Sequence, residues 1–243
     1  MRLSRVFVAQ ALAAGTAVTL REAAAHYVRD VLRLEQGAAL RVFDGSGAEF
    51  RATLDEVQRH AVCLTVGDPL SCVTESPLAI HLGIGLARGE RMDWVVQKCT
   101  ELGVATITPL LLARCNAKFD GTRADSRLRH WLQVAIAACE QSGRTRVPAI
   151  GQPVVLQHWL ATYSELPGLV LHTSDSGTLP GHPAPTALRV LVGPEGGLDA
   201  REFALAHEAG LMPWSLGPRI LRTETAPVAA LAILQHRWGD LGP

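Results

Sequence analysis

"LAIHLGIGLARGERMDWVVQKCTELGVATITPLL" spans Leu78–Leu111, and its rhythm changes twice. Leu78–Leu86 is a short apolar run of the kind a buried strand needs. In the "GERMDWVVQKCTELGV" that follows, Met92, Val95, Val96, Cys99 and Leu102 fall on one stripe at helical spacing. Gly103 stands where a helix stops at a left-handed residue. "VATITPLL" is strand-like again. Strand, helix, strand is a βαβ unit, which predicts an α/β domain with a mostly parallel sheet.

Downstream, a helix around Ser126–Ser142 and strands at Leu169–Thr173, Leu188–Gly193 and a short Trp214–Gly217 extend that sheet. Upstream the pattern is mainly β. "RVFVA" reads as a first strand. In "ALRVFDGSGAEFRATL" (Ala39–Leu54) two strand-like runs flank Asp-Gly-Ser-Gly, a hairpin signal. His60–Val66 alternates, and Glu22–Leu32 reads as a short helix. A small β-barrel with a helix across it closes such a set of strands without exposed edges. Gly67–Pro77 reads as a linker. The expected organisation is therefore a β-barrel domain over residues 1–72 and an α/β domain over residues 73–243.

Hydrophobic residues make up 48% of the 243, enough for a sizeable core, and the formal net charge is zero. That gives no global electrostatic argument for nucleic acid or membrane. Locally the charge is uneven: Arg114, Lys118, Arg123, Arg127, Arg129, Arg144 and Arg146 face only Asp120, Asp125 and Glu140 across that segment. The cations are 21 arginines against Lys98 and Lys118, and arginine suits phosphate forks and base stacking. Cys63, Cys72, Cys99, Cys115 and Cys139 never occur as Cys-x-x-Cys, so neither a disulfide framework nor a metal site is expected, and a reducing cytoplasm fits. "MRLSRVFVAQALAAGTAV" mimics a signal peptide, but Gln10 interrupts its apolar run. No stretch approaches the roughly 20 apolar residues that span a bilayer.

Ligands of open α/β sheets sit outside the carboxyl ends of the strands. Three such ends carry unusual chemistry: "LHTSDSG", "LVGPEGGLDAREF" and "SLGPRILRTET". In the second, Gly193, Gly196 and Gly197 let a ligand approach the backbone, and Asp199 with Glu202 has the spacing of a capping box. It lacks both the Gly-Lys-Ser/Thr ending of a phosphate loop and a dinucleotide fingerprint. Glu195 would repel phosphate and suits a cationic ligand or hydroxyl donors. In the third, Thr225 is placed to cap the last helix, and Pro227 is tolerated in a first turn. Ala229–Leu234 has no polar face, so that helix should be buried, against a second subunit if need be. A cap needs one threonine; it does not need Arg219, Arg222 and Glu224 crowded beside it.

With "VGPEGGL", "LGPRILRTETAPVAAL", "MDWVVQKCTELGV" and "ACEQSGRTRVP" in order, the chain resembles the RsmE-type bacterial uracil-N3 methyltransferases of 16S ribosomal RNA, within the knotted SPOUT superfamily. The resemblance runs from "SRVFV" through "HYVRDVLRL" to the last helix. It implies a PUA-like β-barrel and a SPOUT α/β domain with a C-terminal trefoil knot. It also implies S-adenosyl-L-methionine as methyl donor, a homodimer, and small-subunit rRNA as target. The implied cofactor residues are Leu171, His172 and Thr173; Val192, Gly193, Glu195 and Gly197; and Leu216, Gly217, Ile220, Leu221 and Arg222. Arg222 is the expected partner of the uracil oxyanion, Glu224 the base or orienter, and Arg219 a further candidate. His172 is a rival base, or a satisfied structural histidine. RNA contacts are expected on the barrel and at Arg2, Arg5, Arg144 and Arg146. Two small departures from the family pattern are Ala113, where a serine is expected, and Pro227, where a small residue is.

Two other readings stay open: a SPOUT methyltransferase acting on another RNA or atom, and a non-catalytic RNA-binding or assembly protein. A nucleotide-dependent oxidoreductase fails on the missing dinucleotide fingerprint.

Overall fold

A computed structural model describes residues 3–71, 74–87, 89–115, 121–173, 179 and 184–242, with the side chains of 121–123 excepted. The chain divides into two units, Met1–Glu75 with Cys139–Val147, and Ser76–Ala138 with Pro148–Pro243.

The first unit is built on β1 (Arg5–Phe7), β2 (Ala17–Arg21), α1 (Glu22–His26), β3 (Ala39–Phe43), β4 (Glu49–Val57) and β5 (Ala61–Leu70). A single π turn, Tyr27–Val31, prolongs α1. The strands form one curled sheet in the order β1-β3-β4-β5-β2, with β1 parallel to β3 and every other pair antiparallel. Alternation along β2, β4 and β5 sends Val18, Leu20, Ala52, Leu54, Val62 and Leu64 inward, where they meet Ala25 and Val28. Gly45 and Gly47 take positive φ (85° and 108°) in the β3–β4 turn, and the Asp44 carboxylate accepts the Ser46 and Leu12 N–H groups at 3.0 Å each. The expected linker is wrong at its start. Gly67–Leu70 continues β5, and Pro69 lies opposite Phe50 beside a register irregularity, where a missing N–H is tolerated.

The second unit holds β6 (Ala79–Gly85), α2 (Glu90–Glu101), β7 (Val104–Leu111), α3 (Gly121–Ser142), β8 (Ala149–Ile150), β9 (Val154–Val155), α4 (Leu156–Thr162), β10 (Gly168–Leu171), β11 (Ala187–Val192), α5 (Ala200–Glu208), β12 (Leu211–Trp214) and α6 (Thr225–Trp238). The last residues of α3, from Cys139, belong to the first unit. The sheet order is β12-β10-β11-β6-β7-β8, with β9 also on β7, and every pairing is parallel. Central strands β6 and β11 are buried almost throughout, as parallel strands covered on both faces must be. Met92, Val95, Val96 and Cys99 of α2 are fully buried, and Gly103 takes φ +80° just past its end.

Two expectations about the C-terminal region need correction. The last strand is Leu211–Trp214, ahead of the expected 214–217; it is an edge strand, where Pro213 does not interrupt a ladder on both sides. Thr225 opens α6 as its first residue and caps nothing with its side chain; the Thr225 and Ala226 N–H groups instead donate to the Arg222 carbonyl at 2.9 Å. α6 buries Pro227, Ala230, Leu231, Leu234 and Gln235, while Ile233 stays 41% exposed. The buried Gln235 amide donates to the Leu102 carbonyl at 3.0 Å, tying α6 to the end of α2.

Candidate active site

β12, β10 and β11 are neighbours, and their carboxyl ends open into one cavity of about 590 Å3. Its wall contains every residue expected there: Leu171, His172 and Thr173 after β10; Val192, Gly193, Glu195 and Gly197 after β11; Leu216, Gly217, Arg219, Ile220, Leu221, Arg222 and Glu224 after β12. The His172 N–H donates to the Trp214 carbonyl at 3.1 Å, so the ladder persists to the cavity floor.

The middle segment is shaped by close approaches. A Cβ on Gly85, at the end of β6, would lie 2.5 Å from the Pro194 nitrogen, and one on Gly193 would lie 3.0 Å from the Leu198 nitrogen. Gly197 has φ +69° and donates its N–H to the Pro194 carbonyl at 2.8 Å. The capping box forms as its spacing predicts: the Glu202 N–H donates to Asp199 Oδ1 at 2.7 Å, and the Asp199 N–H to Glu202 Oε2 at 3.0 Å. In the third segment Gly217 takes φ +104° and donates to Ser215 Oγ at 3.3 Å.

Four arginines and two glutamates line the cavity. Arg91 Nη1 lies 3.0 Å from Glu195 Oε1, so Glu195 does not stand alone. Among the described residues the side chains of Arg219, Arg222 and Glu224 make no hydrogen bond or ion pair, which leaves two cations and one carboxylate for a ligand. The His172 ring packs on Phe203 with centroids 4.4 Å apart, a structural placement for the rival base. Ile220, on the cavity wall, is 85% exposed. Arg91 was not singled out from sequence, and Arg114 was read only as part of the basic segment, not of the cavity. Both follow carboxyl ends of strands, β6 and β7, so the strand-end rule would have found them.

The expected RNA contacts separate. Arg2 lies outside the described residues. Arg5 is 5% exposed: its Nε meets Glu49 Oε1 at 2.5 Å, Nη2 donates to the Arg144 carbonyl at 2.9 Å, and Nη1 to that of Cys139. Arg144 is 6% exposed and donates Nη2 and Nε to Glu75 Oε2 at 2.8 and 3.1 Å, while the Thr145 and Arg146 N–H groups donate to Glu75 Oε1. The expectation for Arg5 and Arg144 is therefore revised, since buried, internally bonded guanidiniums have nothing to offer a phosphate. Arg146 is exposed, with its guanidinium lying over Gly47.

Among the described residues no His/Cys/Asp/Glu cluster could hold a metal ion, and no helix is long and apolar enough to cross a membrane.

A family model described as an RNA methyltransferase domain matches residues 74–235, and one described as an RNA methyltransferase PUA domain matches residues 20–67. The ribosomal RNA small subunit methyltransferase E of Buchnera aphidicola is 34% identical over 99% of this chain and 98% of its own length. A Legionella pneumophila methyltransferase solved with its bound cofactor SAM is 40% identical, with TM-score 0.95, covering 99% of this chain and 100% of that one. The methyltransferase E of Neisseria gonorrhoeae bound to S-adenosyl methionine is 36% identical, with TM-score 0.91, covering 98% of this chain and 99% of that one. Fold, cavity and matches define an RNA methyltransferase. The chain belongs to the family of the ribosomal RNA small subunit methyltransferases E.

Proposed function

We propose that this protein transfers a methyl group from S-adenosyl-L-methionine to N3 of one uridine in 16S rRNA of the small ribosomal subunit, acting as a cytoplasmic homodimer. The observation that carries this reading is one cavity lined by residues from all three strand ends, with the side chains of Arg219, Arg222 and Glu224 making no hydrogen bond or ion pair among the described residues. The cavity suits the donor. Glycines 193 and 197 give close backbone access, Leu171, Val192, Leu216 and Leu221 supply apolar wall, and Glu195 and Glu224 supply negative charge for a sulfonium. When bound, S-adenosyl-L-methionine supplies an activated methyl carbon for in-line displacement.

The chain's own work is to position the base and to handle its proton. With the N3 pKa roughly two to three units above neutrality, removing that proton costs on the order of 3–4 kcal/mol. Arg222 is our candidate for the uracil oxyanion, lowering that cost electrostatically, and Glu224 for receiving or orienting the proton, with Arg219 beside them. Glu224 lies at the start of α6 and Arg222 two residues before it, so one turn of chain sets both. We assign residues 171–173, 192–197 and 216–222 to the donor, and Arg146 with the first unit to RNA. The family resemblance supports two further assignments: a C-terminal segment threaded as a trefoil knot, and the exposed side of α6 as dimer surface. The division at residues 72/73 is our working domain boundary.

Incubating the protein and S-adenosyl-L-methionine with unmodified small subunits, naked small-subunit rRNA and tRNA, followed by nucleoside mass spectrometry, tests this function. N3-methyluridine in the subunits, with little elsewhere, is the expected result. Methylation of another atom or another RNA would move the protein to a different target, and cofactor binding without product anywhere would favour a non-catalytic role.

A further inference from the structure

The segment 193–198 has three glycines in six residues, and glycine is the residue that gains most freedom when unconstrained. Something outside the loop must hold it. Arg114, three residues beyond β7, reaches across with Nη1 to donate to the Gly196 carbonyl at 3.0 Å and to the Leu198 carbonyl at 3.4 Å. Its neighbour Ala113 donates its N–H to Glu202 Oε1 at 2.6 Å, attaching the same short segment to the capping box that ends the loop. The fit is steric as well: a Cβ on Gly196 would lie 2.9 Å from the Arg114 Cβ. At the end of β6, a Cβ on Gly85 would lie 2.5 Å from the Pro194 nitrogen, so the loop also passes close to that strand end. The loop is thus wedged between two strand ends and strapped by one arginine, which itself lines the cavity.

We propose that Arg114 is a positioning residue for methyl-donor binding, which sets the affinity for S-adenosyl-L-methionine by holding the Gly193–Leu198 main chain in its binding shape before the ligand arrives. This rests on the reading that the cavity takes that donor. A loop ordered in advance loses less entropy on binding, so the strap is read out in affinity and in loop protection more than in turnover of the bound complex.

The test compares Arg114→Ala and Arg114→Lys with the wild-type chain. Hydrogen exchange of residues 193–199 is measured without ligand, and S-adenosyl-L-methionine affinity by calorimetry, with thermal melting as a control. Arg114→Ala should speed exchange in that segment and weaken donor binding by about ten-fold each, as expected for losing a charge-assisted hydrogen bond. KM for the donor should rise by more than kcat falls. Arg114→Lys keeps a donor within reach of the carbonyls and should recover most of the affinity. Exchange and affinity within two-fold of wild type in Arg114→Ala would overturn the proposal. So would equal losses in both variants accompanied by a lowered melting temperature. Failure of the wild-type chain to bind the donor would remove the donor reading instead, and the ligand-free exchange would still decide whether Arg114 holds the loop.

Discussion

Arg91 and Glu195 meet at 3.0 Å on the cavity wall, joining the first turn of α2 to the glycine-rich loop. Both side chains keep solvent contact, 48% and 22% exposed, so the pair adds little to stability, less than about 1 kcal/mol. Its consequence is electrostatic: on the proposed reading of the cavity, Arg91 offsets the glycine-rich loop's carboxylate, which a cationic ligand would face. The two single variants should therefore act in opposite directions. Glu195→Gln should weaken S-adenosyl-L-methionine binding a few-fold, and Arg91→Ala should leave it unchanged or tighten it, in calorimetry at low salt. Losses in both would contradict this account.

Gly85→Ala tests the loop from its other side. The added methyl would meet the Pro194 nitrogen, and neither backbone can step aside without moving the loop. Overpacking of this kind costs about 1–3 kcal/mol. Donor affinity should fall with secondary structure retained, by circular dichroism and calorimetry on the same sample.

The buried arginine of the first unit predicts a contrast with Arg146. Arg5→Ala leaves Glu49, a fully buried carboxylate, with Arg41 at 3.2 Å and strips the Arg5 bonds to three carbonyls. Breaking such a buried pair costs about 3–5 kcal/mol. Urea unfolding should show that loss for Arg5→Ala and almost none for Arg146→Ala. RNA binding should behave the other way, with Arg146→Ala lowering affinity and the salt dependence by about one counterion.

Glu140 supplies a pH prediction. Burial drives its carboxyl up from 4.5 to about 7, although the Phe7 N–H and the nearby Arg5 favour the charged form. A raised acid binds its proton more tightly when folded, so its contribution favours the fold at low pH. That contribution fades as pH rises from the unfolded value through about 7 and is gone above it. Glu140→Gln should thus stabilise the protein at pH 8 by on the order of 1–2 kcal/mol and change little at pH 5, by denaturant melts at both values.

Much of this was legible because local chemistry and tertiary role agree. The α2 stripe with Gly103, the Asp-Gly-Ser-Gly turn and the Asp199/Glu202 box each satisfy nearby backbone with nearby residues. What escaped depends on distant partners. Gly67–Leu70 reads as the start of a linker and the last strand is expected at 214–217 rather than Leu211–Trp214; both observed strands contain proline, one beside a register irregularity and the other on an edge. β2 and α4 carried no distinct signal. Arg5 and Arg144 read as surface cations because Glu49 and Glu75 lie 44 and 69 residues away in sequence. Arg114 reaches its loop across 82 residues. The return of residues 139–147 to the first unit has no local signature either.

The central claim is that one cavity binds the donor and activates the base, with the Arg222 main chain serving the first task and its guanidinium only the second. The direct measurement is N3-methyluridine yield on unmodified small subunits, by mass spectrometry, for wild type and Arg222→Ala, alongside S-adenosyl-L-methionine affinity for both. Loss of an oxyanion partner should lower the yield rate by about 10²-fold, with donor affinity within two-fold. Near-normal methylation by Arg222→Ala would contradict the account, as would a loss of donor binding large enough to explain the loss of product.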